Sequence, residues 1–451
     1  MSRPNLLGNF TRDRKLLILS FAILLLAFLL RISLISKWVI GDVLVHREWG
    51  EKFWKYGSRN FYFNKDWYYS FPTQPPITSL MFAGSFWLFD HKYVLAQIHN
   101  STKLVPAALI TYFYDMEEPV NKRGYILLLK LPAILADLAL GILVFKIILD
   151  LTRRRNSAIL GSLFYLFNPV TVFLSGGWGQ NESVIAFFGL LAFVLLAKEK
   201  VYLSLPLFFV CLYTKPTWSI FVPLYLFLLF IWRPRVLAIL VGVFLSSLIF
   251  IVTTLPFSGN DVLGFTKKVF WENTLPRAKV GARASISAFN FHTVFLRIDR
   301  DLDNERTIGI PANILGILGF ALINVFVFSY MRKVQDKLFG VVVSLFTLGF
   351  GSFLFLTNML ERYFFASFAP MIILAVSRPK TLLWALAINT IVFANLVFAY
   401  FRRTSDEISR PFTNNNFFLI RALSVLNIVA FVKILKFLNV TINFNNEGSR
   451  K

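Results

Sequence analysis

Uncharged apolar runs recur along this chain from residue 16 to residue 437, several of them near the about 20 residues a helix needs to cross a bilayer. Short connections rich in lysine and arginine separate them. That pattern excludes ordinary soluble layers, because only 16% of the 451 residues are charged and 56% are hydrophobic, whereas a soluble domain is roughly a quarter charged. Too little polar surface exists to cover soluble cores, and disordered, collagen-like and disulfide-scaffold classes fall with it. The expected fold class is all-α, a polytopic transmembrane helical bundle forming one integral-membrane unit over residues 1–451.

Spans are read at 16–40, 125–151, 159–175, 184–197, 201–213, 219–232, 236–257, 310–330, 338–357, 363–376, 382–400 and 417–437. The stretches 76–89 and 104–114 are too short to cross comfortably and read as a tilted hairpin or interfacial pieces. The expected crossing number is therefore twelve to fourteen. A basic start (Arg3, Arg12, Arg14, Lys15) precedes the first run, but no small-x-small cleavage signal follows it, so it reads as a retained span.

The net charge of +23 comes from 47 Lys and Arg against 24 Asp and Glu. Most of the excess lies in short loops (Arg153 to Arg155, Lys198 and Lys200, Arg233 and Arg235, Arg332 to Lys337, Arg378 and Lys380), as the positive-inside bias of membrane proteins requires. That account makes a nucleic-acid partner unnecessary and the basic face cytoplasmic. The opposite face receives two long segments, 41–123 and 258–309, and the turns around Trp178, Lys215 and Glu361. The single cysteine, Cys211, excludes an intrachain disulfide. Phosphate-loop, dinucleotide and zinc spacings are absent, so chemistry is expected on the external face.

Asp42 follows the first span directly, with Trp49, Phe53 and Trp54 at helical spacing behind it. This reads as an amphipathic helix lying on the membrane, with a carboxylate that burial would turn into a base of raised pKa. The plainer reading is an acid ending a helix near water. Trp178, between glycines, precedes Gln180, Asn181, Glu182 and Ser183, which open the next helix and could hold sugar hydroxyls or simply cap it. Lys215, Arg277, Lys279, Arg283, Arg362, Arg402 and Arg403 run against the local charge bias and could form an external site for lipid-linked phosphate, or be solvated surface. Glu361 beside Arg362 is either a local ion pair or a pair facing a cavity. Lys130 and Asp137 lie within one span, where a structural role is expected for Asp137.

Taken in order, Gly41-Asp42, Pro75-Pro76-Ile77, Asn168-Pro169, Trp178-Gly179-Gln180, Lys215-Pro216, Ser287 to Asn290 and Glu361-Arg362-Tyr363 resemble the GT-C superfamily of integral-membrane glycosyltransferases. The likeness runs from about residue 16 to residue 375 and is greatest to dolichyl- or polyprenyl-phosphate-sugar-dependent glucosyl- and mannosyltransferases. It implies inverting transfer of a hexose on the external or lumenal face, in the plasma membrane or endoplasmic reticulum. The acceptor would be a lipid-linked glycan or another hydroxyl compound. Asp42 matches the general base. Lys215, Arg283, Arg362 and Arg277 are candidates for the donor phosphate, and Trp178, Gln180, Glu182, Glu361 and Asn290 for sugar or acceptor. Three positions depart from the family pattern: Glu182 replaces an aspartate, Leu360 a histidine, and Gln74 an aromatic. Leu44 stands where metal-dependent members carry a second acid, so no metal or other cofactor is expected.

Two other functions fit the same spans: a transporter or flippase of polyprenyl-linked glycans, or a glycan polymerase. No repeat of the Asp42 or Trp178 segments appears in the second half, which disfavours the inverted-repeat transporters. External arginines and histidines, typical of the polymerases, are less prominent here than the aromatic and acidic features of the first loop.

Overall fold

A computed structural model describes residues 6–35, 39, 41–115, 122–274, 282–402 and 404–447. It is all-α apart from a two-residue antiparallel pairing of Arg306–Thr307 with Ile310–Pro311. Five helices are long and apolar enough to cross a membrane, six if the bent pair Arg155–Leu166 and Pro169–Trp178 counts as one span. Five further apolar helices have 10–17 residues. Helices of full spanning length are thus fewer than the twelve to fourteen crossings expected, because prolines and polar turns cut the apolar runs. Pro206, for example, sits inside the 14-residue helix Val201–Thr214.

Burial sorts these helices. Lys337–Phe355 runs through the centre, 89% of its apolar window buried, whereas Val236–Ser258 is only 6% buried at a hydropathy of 2.8. A helix apolar on every side yet uncovered by protein is stable only against lipid. The chain is a multi-pass membrane protein.

Connectivity defines two ends. Glu182 opens and Lys198 follows the helix Glu182–Ala197, and the next helix, Val201–Thr214, returns to Lys215. At the basic end, Lys198 pairs with Asp150 (2.6 Å) and Lys337 with Glu199 (2.8 Å), while the Arg378 guanidinium lies 4.6 Å over Phe339. The loops read as one basic face do meet at one end of the bundle.

The other end is built by the first long segment. The helix Asp42–Tyr56 turns one side onto protein, with Val43, His46, Trp49 and Phe53 buried. It packs on Pro76–Asp90, with the His46 ring stacked 4.1 Å from Phe82. Gly50 allows the approach, since a Cβ there would sit 2.6 Å from the Phe82 carbonyl oxygen. The aromatic loop that follows is pinned by Glu48, which accepts from the amides of Tyr68 (2.6 Å) and Tyr69 (2.9 Å). Of the two short stretches, 76–89 forms the 15-residue helix Pro76–Asp90 and 104–114 the 8-residue helix Ala107–Tyr114.

Beneath this end sits a buried charge pair. Arg31, in the last turn of Leu6–Ile32, donates through Nε to Asp137 (3.2 Å) and Ser175 (3.1 Å). Its other nitrogens reach the carbonyls of Ala27 (3.1 Å) and Leu166 (3.0 Å) and the Thr171 hydroxyl (3.2 Å). Tyr165 (2.9 Å) and Ser183 (2.7 Å) donate to the other oxygen of Asp137. Lys130 turns away from Asp137 and donates to the carbonyls of Ile35 (2.8 Å), Gly176 (3.2 Å) and Gly177 (2.5 Å).

Candidate functional site

The Asn168–Gly179 segment places the first site residues. Asn168 Oδ1 accepts from the Val170 amide (3.0 Å) and Pro169 starts a helix that widens into a π-turn over Phe173–Trp178. Gly179 follows at φ 78°, where a Cβ would meet Lys130 and Val43 at 2.8 and 2.9 Å, so the reversal needs glycine. Gln180 then meets Asp42, donating from Nε2 to Oδ2 across a sequence separation of 138.

Five charged groups converge around that contact. Arg362 lies 3.6 Å from Asp42, 3.5 Å from Glu182 and 2.7 Å from Glu361. Lys215 Nζ is 2.5 Å from Glu182 Oε1. Thr78 holds that turn, donating to the Thr214 carbonyl (2.5 Å). Glu361 accepts from the Ser287 hydroxyl, and Asn395, on the helix Leu382–Phe401, donates to the Ser287 carbonyl (2.6 Å).

The cluster is enclosed without being sealed. The Asp42 side chain keeps 37% of its accessibility, against 6% for Glu182 and 14% for Arg362. Glu182 Oε2 is buried with no hydrogen-bond donor among the described residues, an arrangement that calls for a donor from outside.

Electrostatics corrects the sequence-based expectation for Asp42. Burial alone would raise its pKa, but Arg362, His46, the Gln180 hydrogen bond and Lys215 together outweigh it, and the pKa lies below the ordinary 3.8. Asp42 is therefore ionised throughout the neutral range. His46, one turn along, is pushed down to about 3, chiefly by burial and further by Lys215 and Arg362, with Asp42 opposing. It is neutral at physiological pH. Arg362 is held protonated because Asp42, Glu361 and Glu182 outweigh its burial.

The sequence-predicted residues separate into two groups. Asp42, Gln180, Glu182, Lys215, Glu361 and Arg362 come together. Trp178 joins them, but it presents no open stacking face: it is 8% exposed, with the Arg362 guanidinium 5.7 Å over its ring and Tyr400 against its edge. Arg283 is directed elsewhere, donating to the Arg300 carbonyl (2.7 Å). Arg402 reaches the Ile286 carbonyl (3.1 Å) and Asp299 (3.4 Å). Asn290 is buried, its Oδ1 accepting from the Thr293 amide (3.3 Å), with no contact to the charged cluster. Arg277, Lys279 and Arg403 lie outside the described residues. Ser287 and His46 were not predicted; Ser287 stands in the same motif as Asn290, whereas nothing local distinguished His46.

Two consequences follow for chemistry. Lys215 and Arg362 are already engaged by carboxylates, and three carboxylates against two cations leave the cluster one negative charge. Neither cation is free for an anion unless a carboxylate moves aside. No group of three or more His, Cys, Asp or Glu among the described residues is placed to hold a metal ion.

This fold and site define a class, an all-α multi-pass membrane protein with an accessible carboxylate cluster at the end opposite its basic loops. No family model matches the chain, and no curated protein is similar to it.

Proposed function

We propose that this protein is an inverting glycosyltransferase that moves a hexose from a polyprenyl-phosphate donor to an acceptor hydroxyl at the Asp42 recess. The observation that carries the reading is an ionised, accessible carboxylate in a membrane protein, oriented by Gln180 and flanked by a carboxylate oxygen that lacks a donor among the described residues. A sugar supplies the hydroxyls that such a site leaves unmatched, and a lipid carrier brings the sugar to the boundary where the recess lies.

In the reaction the acceptor oxygen attacks the anomeric carbon while the bond from that carbon to the phosphate oxygen breaks. The leaving polyprenyl phosphate takes the bonding electrons, and the acceptor proton passes to Asp42. A carboxylate of low pKa suits this order of events, because glycosyl transfer passes through an oxocarbenium-like state in which bond breaking leads and the proton leaves late. Lys215 and Arg362, exchanging Glu182 for the phosphate, would stabilise the developing charge. Glu182, released, can accept a sugar hydroxyl.

The test is to incubate purified protein with a panel of polyprenyl-phosphate hexoses and candidate acceptors and to measure release of the lipid phosphate. Release with any donor, lost in Asp42→Asn, supports the reading. No release across the panel, or undiminished release in Asp42→Asn, overturns it.

A further inference from the structure

A cavity with a volume of about 560 Å³ lies at the basic end of the bundle, away from the Asp42 cluster. That volume falls within the range of about 300–1,000 Å³ typical of small-ligand sites. Arg154 and Arg378 line it from two interhelical connections and Lys333 from the last turn of the helix Ala312–Lys333, and none of the three forms an ion pair among the described residues. Tyr330 and Ser377 line it as well, and the Tyr330 hydroxyl, Ser377 hydroxyl and Arg378 Nε are buried there without a hydrogen-bond partner among the described residues.

One carboxylate shares the cavity and offsets part of this charge without forming an ion pair to any of the three among the described residues. Asp336 lines the same cavity, but its Oδ1 caps the helix Lys337–Phe355, accepting from the Leu338 and Phe339 amides at 3.0 Å. Lys337 is likewise drawn off to Glu199. What remains is a hollow with three unpaired cations and three unsatisfied polar atoms, at the end of a membrane protein that its charge bias turns toward anionic lipid. Buried polar atoms normally have partners, and basic pockets between transmembrane helices on that side suit phosphate-bearing head groups.

We infer that this cavity binds a phosphate group, with Arg154, Lys333 and Arg378 supplying charge and Tyr330 and Ser377 supplying hydroxyl donors. The phosphate can belong to an anionic lipid head group or be free in solution, and the site is independent of any chemistry at Asp42.

The full-length protein in neutral detergent is titrated with dioctanoyl phosphatidylglycerol, with dioctanoyl phosphatidylcholine as a zwitterionic control, and separately with inorganic phosphate, reading the thermal midpoint. A saturable upward shift is expected with phosphatidylglycerol and not with phosphatidylcholine. A matching shift with inorganic phosphate identifies a free-anion site, whereas a shift with phosphatidylglycerol alone identifies a head-group site. Arg154→Gln combined with Lys333→Gln, both at exposed positions, should leave the unliganded midpoint unchanged and weaken the response at least tenfold. Tyr330→Phe, which keeps the ring, should weaken it several-fold and serves if the double variant is poorly expressed. No anion-specific shift, or an undiminished one in these variants, overturns the inference.

Discussion

Two buried charge clusters lie close together in this protein, and they are built to opposite specifications. Around Arg31 and Asp137, both at 0% side-chain exposure, the described donors and acceptors meet: five bonds leave the guanidinium and three reach the carboxylate. Around Asp42, the carboxylate is partly open and Glu182 keeps an oxygen with no donor among the described residues. A buried charge is tolerated when its partners are complete, so the first cluster has nothing left to offer a ligand. The second is incomplete, and an incomplete polar cluster that solvent can enter is where binding and chemistry are to be sought.

The sharpest break between the clusters is Asp42→Asn. It should reduce sugar transfer by about 10²–10⁴-fold, the usual contribution of a positioned base, and leave the thermal midpoint nearly unchanged. Transfer at the original rate, or a collapsed midpoint, would put both clusters in one structural category. The mirror experiment is Asp137→Asn, which strands Arg31 in the interior. Breaking a buried pair costs about 3–5 kcal/mol, so lowered yield and a much lower midpoint are expected; an unchanged midpoint would remove the contrast.

Lys215→Ala should act on binding. Its loss leaves Glu182 with Arg362 alone, and a rise of about tenfold in donor KM, equivalent to about 1.4 kcal/mol, should exceed any effect on stability. An unaltered KM would exclude Lys215 from the donor's phosphate.

The smallest effects concern pH. Asp42 is lowered below 3.8, so transfer should show no acid limb from this group until the pH falls below the ordinary carboxylate range. His46 is lowered from 6.5 to about 3, so below pH 6.5 the unfolded chain takes up a proton the folded chain refuses. Stability from this group is intact above 6.5 and declines as the pH drops toward 3. His46→Phe should flatten that part of a thermal-midpoint profile, and an unchanged slope would assign the acid sensitivity elsewhere.

Much of the architecture was legible in the sequence because lipid imposes a local rule. Apolar runs and basic loops follow from the solvent around each helix, and they sorted the residues to two ends without any knowledge of packing. The Asn168–Gly179 and Glu361–Arg362 turns were legible for a related reason, since glycines, proline and caps act within a few residues. Sequence reasoning failed where a partner is distant. Arg31 lay inside the first span with no role assigned, and only the packing of the first helix on Asp137, 106 positions away, makes it the centre of a network. Trp178 was a candidate for sugar or acceptor, and only the fold sets the Arg362 guanidinium over its ring.

The sequence by itself determined that this is an α-helical membrane protein, with its basic loops at one end and its acidic and aromatic turns at the other, because the cost of exposing charge to hydrocarbon acts on each residue separately. Only the tertiary structure decided which of those charges meet. Asp42 stays ionised, Lys215 and Arg362 are engaged and Glu182 keeps an open oxygen because helix packing sets distances and burial across positions that no local pattern relates.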